Sequence, residues 1–264
     1  MALALSVFAG PEEDREAFRN YYQSRFPEVA LAEYVNGIYA LDEDARQQWM
    51  EIEEFPPYEF AIDKGEALFG TVFANGQSYA GCFENDGIGI RQTYPQFDPK
   101  QGEVITLELA INQCRERNAE APYSYKSDEL LSLSAYMAYT SRGNIFNVVV
   151  PDDPRALAAY ERGKQFYYSK RGQLNMSCSD CHVKGVGAYV RADHLGPSLG
   201  HPTHFPVYRS KLGGMLSLHG RFYGCIRDVR ARPFEQQSLE YRDLEYFLTY
   251  MSNGLEANGP GARK

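Results

Sequence analysis

Apolar positions recur at helical spacing in separated stretches of the chain. Near the start, PEEDREAFRNYYQSRF opens on Pro11 followed by Glu12, Glu13 and Asp14, a helix start whose negative side chains favour the first turn. EDARQQWMEIEE predicts a second helix, and Pro56 and Pro57 end this acidic, aromatic region. It carries no evident chemistry and reads as an extension that packs on a domain or on a partner. Further on, DELLSLSAYMAYTSRG and SLEYRDLEYFLTYMSNG each predict a helix. In the second, Leu239, Asp243, Phe247 and Met251 share one ridge, with Leu244, Leu248 and the closing Gly254 completing an amphipathic helix. The stretch before it is rich in Gly, Pro and His and reads as loop rather than sheet.

The same pattern occurs twice. Cys114 and Cys225, Pro122 and Pro233, Tyr139 and Tyr250, and Gly143 and Gly254 are pairs at one constant offset. NGQSYAGC, ending at Cys82, resembles RGQLNMSC, ending at Cys178. A duplicated domain explains these matches, with copies at 61–150 and 155–264 after an extension at 1–60, joined by the turn-prone VVVPDDP.

Composition narrows the function classes. A net charge of -8 over 264 residues leaves no basic excess for neutralising phosphates, which argues against nucleic-acid binding. No apolar run is long enough for a membrane span.

The chemistry is declared at 178–182, where Cys178, Cys181 and His182 form a CxxCH unit, the signature of covalent c-type haem attachment. The thiols reach the porphyrin vinyl groups and the imidazole is left for the iron. The fold class that follows is mainly α, with two tandem class I cytochrome c-like domains. Such attachment takes place outside the cytoplasm and implies export to the periplasm. The opening MALALSVFAG lacks a basic n-region, so the numbering is read as starting near a processed terminus.

In the first copy the positions that would supply a second Cys and the His are Asn85 and Asp86, so this copy attaches no haem. A Cys82–Cys114 disulfide would account for the surviving thiols, the alternatives being two free buried thiols or a metal pair. By the same mapping Cys225 lies across from the haem face and is a candidate second axial ligand, with Met215, Met251 and His219 as other options. Arg221 precedes Cys225 by one helical turn, which places both on one face and suits Arg221 to binding an anion. Gly220 and Gly224 are expected to leave room there, and Arg227, Arg230 and Arg232 to form a solvated basic face.

CxxCH, the RFYGCIRDVRARPF stretch from Arg221 to Phe234 and the closing LEYRDLEYFLTYMSNG together resemble the A subunit of the SoxAX cytochromes of bacterial sulfur oxidation, single-haem type. The resemblance spans about 60–260. It implies one haem c ligated by His182 and Cys225, the latter as a persulfide, and a substrate-binding role for Arg221. It further implies an L-cysteine S-thiosulfotransferase that joins thiosulfate to a cysteine of the SoxYZ carrier, with SoxX as electron-accepting partner. Copper occurs in some members, and His194, His201, His204 and His219 are available, although their spacing is weak support. The competing readings are an electron-transfer cytochrome with His/Met ligation and a haem-bearing scaffold.

Overall fold

In the computed structural model, which describes residues 10–190 and 193–264, each half of the chain repeats one order of elements: helix, hairpin, helix, helix. The first half runs α3 (Glu59–Phe69), β1 (Gln96–Asp98), β2 (Glu103–Ile105), α4 (Leu107–Arg117) and α5 (Asp128–Tyr139). The second runs α6 (Pro154–Tyr168), β5 (Val207–Arg209), β6 (Gly214–Leu216), α7 (Leu218–Asp228) and α8 (Leu239–Met251). Between α6 and β5, β3 (Tyr189–Val190) pairs with β4 (Asp193–His194). Ahead of both halves lie α1 (Pro11–Arg25) and α2 (Glu43–Glu53). The first nine residues, which carry the reading of a processed start, lie outside the described residues.

The local causes are repeated as well. Thr106 and Ser217 cap α4 and α7, and Ser127 and Ser238 cap α5 and α8, each accepting a hydrogen bond from an orphan backbone N–H of the first turn. Where the first and last helices of each half cross, a glycine lets the backbones touch. A Cβ on Gly65 of α3 would lie 2.1 Å from the Ser132 carbonyl oxygen of α5, and one on Gly163 of α6 would lie 2.0 Å from that of Asp243 on α8.

One apolar cluster is built within the first half from Phe69, Tyr79, Leu107, Ile111, Cys114 and Leu130 among others. The expected disulfide is there: Cys82 and Cys114 are bonded with Cα atoms 5.7 Å apart. Closing that loop of 32 positions stabilises the fold by roughly 3 to 4 kcal/mol on chain-entropy grounds. The second cluster gathers Tyr160, Tyr167, Phe222, Leu244 and Phe247 and takes in Phe18 and Tyr22 of α1.

Two expectations are corrected. The Gly, Pro and His-rich stretch is not all loop: β5 pairs antiparallel with β6 and parallel with a C-terminal strand, β7 (Gly261–Arg263). Residues distant in sequence complete that sheet, so no local alternation announces it. Nor is α8 amphipathic. It is buried continuously from Tyr241 to Thr249, because α6, α7, α1 and β2 surround it, while Leu239 on the expected core ridge is 43% exposed.

Candidate functional site

The turn that carries the CxxCH unit is set by a reciprocal cap. Asp180 accepts a hydrogen bond from the Ser177 backbone N–H at 2.9 Å, and the Ser177 hydroxyl accepts one from the Asp180 N–H at 3.1 Å. The Ser177 N–H, then Lys184 at 2.9 Å and the Ser177 hydroxyl at 2.9 Å, donate to the Asp180 carboxyl and hold it well below the usual carboxylate range. Cys178 and Cys181, three positions apart on that helical turn, line one cavity together with His182.

His182 is oriented from both ends. Its ring Nδ1 lies 2.9 Å from the Gly196 carbonyl, which fixes Nδ1–H as donor and leaves Nε2 for a metal. Its carbonyl accepts from the Tyr22 hydroxyl at 2.5 Å and from the Ser198 N–H at 3.3 Å. Arg25, one turn further along α1, donates to the carbonyls of Val183, Lys184 and Val186, closing the exposed end of the turn. The extension therefore has a task that the sequence did not reveal. Tyr22 and Arg25 reach about 160 positions along the chain to hold the segment after the second cysteine.

Helix α7 supplies the opposite wall. Arg221 and Cys225, separated by one helical turn, both face the cavity, and Phe222 and Ile226 close its apolar side. The negative form of the Cys225 sulfur is the main reason the Arg221 guanidinium is held above the usual arginine range. Burial pushes the Cys178 thiol up to about 12 and the Cys181 thiol up as well, the charge of Cys225 adding to both. Burial also moves His182 down to about 4, so its imidazole is neutral and fit for a metal at ordinary pH.

The cavity is mostly apolar, with Leu195, Leu244 and Leu248 among its walls. Two thiols at thioether spacing, an imidazole with a free Nε2 and a facing sulfur in an apolar slot fit a covalently bound haem c. Other axial candidates lie elsewhere. Met215 packs on β6 against Tyr58, Ile62 and Ala262, and Met251 is buried within the second apolar cluster. His219 is buried, accepts from the Gln237 N–H at 3.0 Å and meets Glu245 at 3.2 Å. Gly220 and Gly224 do not line the cavity: a Cβ on Gly220 would strike Leu216 at 2.5 Å, and Gly224 faces open space. Arg227, Arg230 and Arg232 are exposed. His194 pairs with Asp42 at 2.9 Å, and among the described residues no group of three or more His, Cys, Asp or Glu could hold a metal ion.

The chain is similar to known proteins in sequence and in fold. Residues 64–146 match the SoxA/TsdA cytochrome c domain model, which is the half without CxxCH. The chain is 55% identical over 257 residues to the L-cysteine S-thiosulfotransferase subunit SoxA of Allochromatium vinosum, covering 97% of this chain and 91% of that protein. It is 53% identical to the subunit of the same name from Chlorobaculum tepidum, covering 96% and 88%. Its fold superposes on the crystal structure of SoxXA from P. pantotrophus with a TM-score of 0.74, at 32% identity and 84% coverage of each chain. The chain belongs to the SoxA family of L-cysteine S-thiosulfotransferase subunits.

Proposed function

We propose that this chain is the haem-bearing subunit that joins thiosulfate to a cysteine thiol of a carrier protein of the SoxYZ kind. The observation that carries the reading is that Arg221 and Cys225 on α7 wall the same cavity as Cys178, Cys181 and His182. Cys178 and Cys181 would hold a haem c through thioethers, and His182 and Cys225 would be available as donors to its iron. When bound, that group supplies a one-electron acceptor beside the reacting sulfur. Arg221 binds the thiosulfate dianion by charge-assisted hydrogen bonds and brings its outer sulfur to Cys225.

The sulfur steps balance as follows. The Cys225 thiolate and the outer sulfur of thiosulfate form a disulfide bond and release two electrons, leaving Cys225–S–S–SO3⁻. The carrier thiolate then attacks the sulfur bonded to Cys225, forming carrier–S–S–SO3⁻ and restoring the Cys225 thiolate. Two electrons from a one-electron site call for a second acceptor. A SoxX cytochrome partner supplies it, as the assembly named in the P. pantotrophus structure suggests.

The repeated element order supports a duplicated cytochrome domain at 61–150 and 155–264 after an extension at 1–60, the first copy closed by its disulfide in place of a haem. Thioether attachment and that disulfide favour an exported, periplasmic protein. Among the described residues no helix is long and apolar enough to cross a membrane.

The test is reconstitution of the holoprotein with a SoxX partner and a carrier, reading thiosulfate-dependent mass gain on the carrier cysteine. Wild type adds S–SO3, Arg221→Gln slows the addition on the order of 100-fold and Cys225→Ala abolishes it. Unchanged rates in both variants at full haem content overturn the assignment.

A further inference from the structure

A second cleft opens beside Arg221, between the extension and the sheet β6–β5–β7. It shares His182, Asp193, His201 and Arg221 with the first cavity, but Cys178 and Cys181 are absent from its walls. Arg209 and Arg263 line it, and they are direct register partners across the parallel pair β5 and β7. Register partners project to the same face of a sheet, where two like charges repel. Something must offset that repulsion.

The protein's own acids do so only in part. Asp193 meets Arg209 at 3.4 Å, and Asp42 is engaged with His194 at 2.9 Å. Glu53 accepts from the Trp49 indole at 2.8 Å and the Ala262 N–H at 2.9 Å. Asp44 is at the exposed rim. Arg263 is only 8% exposed; its Nη1 donates to the Ala262 carbonyl at 2.7 Å, and its Nη2 is buried with no acceptor. Its guanidinium is seated 5.0 Å from the Tyr39 ring centroid and 5.5 Å from that of Trp49, the two rings being stacked on each other. A buried donor aimed into a polar cleft, beside a like charge in register, is an arrangement awaiting an acceptor with negative charge.

We propose that Arg209 and Arg263, with Arg221 across the cleft, form an anion site that takes a carboxylate or a small tetrahedral oxyanion. Two sources have this chemistry. One is the carboxylate edge of a porphyrin whose vinyl edge is bound at Cys178 and Cys181, since those edges are on opposite sides of the macrocycle and the cleft is the side without the cysteines. The other is a free sulfur oxyanion held next to the reacting cavity. The first source rests on the haem reading above, while the second does not, and neither requires turnover to be measured.

The experiment uses purified holoprotein and the variants Arg209→Gln, Arg263→Gln and the charge-preserving Arg263→Lys, matched for haem content and circular dichroism. One arm titrates sulfate and thiosulfate calorimetrically. The other follows the haem reduction potential from acid to alkaline pH. A free oxyanion ligand is shown by binding that weakens at least tenfold in both glutamine variants and recovers in Arg263→Lys, with the pH profile of the potential unchanged. A haem carboxylate is shown by a new pH-dependent step in the potential of the glutamine variants, absent in Arg263→Lys, with oxyanion binding unaltered. Should Arg263→Gln fail to fold, Arg209→Gln carries both readouts. Variants that match wild type in both arms overturn the anion site.

Discussion

The Tyr22 hydroxyl donates to the His182 carbonyl at 2.5 Å while accepting from the Ser198 N–H at 3.2 Å. One phenol on α1 thus ties together the two strands of chain that flank the candidate iron ligand, and burial keeps that phenol protonated. Tyr22→Phe leaves the buried Ser198 N–H with only its 3.3 Å bond to the His182 carbonyl and weakens satisfaction of that carbonyl. The cost is about 0.5 to 1.5 kcal/mol. Chemical denaturation of the holoprotein reads it. A midpoint equal to wild type would show that the extension does not brace this loop.

The Cys82–Cys114 bond lies within the first apolar cluster, whereas the cavity with CxxCH is walled by the second. Replacing both cysteines by alanine should lower stability by roughly 3 to 4 kcal/mol while the haem absorption spectrum stays as in wild type. A changed spectrum with unchanged stability would mean that the bond acts on the haem half rather than on its own loop.

What could be read from the chain was local or repeated. CxxCH, the one-turn spacing of Arg221 and Cys225 and the cysteines Cys82 and Cys114 of the first half depend on residues near one another or on a recurring pattern for comparison. Ser177 and Asp180 are legible too, as an S-x-x-D capping pattern on the same turn as the cysteines. The residues that escaped are those whose partners are distant. Tyr22 and Arg25 reach the CxxCH turn by tertiary packing, and Arg263 lines the neighbouring cleft on a three-residue strand with no alternation to mark it. The ridge assigned to α8 failed for a related reason: amphipathic spacing describes a helix with one wet face, and α8 from Tyr241 to Thr249 has none.

Asp243 gives the stability a pH dependence of defined sign. Burial raises its carboxyl to about 6, against the pull of Arg162, whose Nε lies 2.7 Å away. The native state then holds the proton at a pH where the unfolded chain, near 3.8, has released it. Native protons exceed unfolded ones in that window, so the contribution of Asp243 to stability is greatest below about pH 4 and falls as pH rises to 6. The fall is at most about 3 kcal/mol. Measured against Asp243→Asn, wild type should lose ground across this window and run parallel above it. A difference independent of pH would place the titration elsewhere.

The two glycine crossings separate the role of the halves. Alanine is the better helix former by about 1 kcal/mol, so at a free helical position either replacement would stabilise. Here the added Cβ meets a backbone carbonyl, at 2.1 Å for Gly65 and 2.0 Å for Gly163, and backbone cannot swing aside as a side chain can. Overpacking of this kind costs roughly 1 to 3 kcal/mol or more, which outweighs the propensity gain. The consequences should differ. Gly163→Ala forces α6 away from α8, which carries Leu244 and Leu248 in the cavity wall, so it should change the haem absorption spectrum as well as lower stability, the thioethers keeping the haem on the chain. Gly65→Ala parts α3 from α5 in the half without CxxCH and should lower stability with the spectrum as in wild type. The haem absorption spectrum, read beside the denaturation midpoint, distinguishes the two. Equal spectral change in both variants would show that the halves loosen as one cooperative unit.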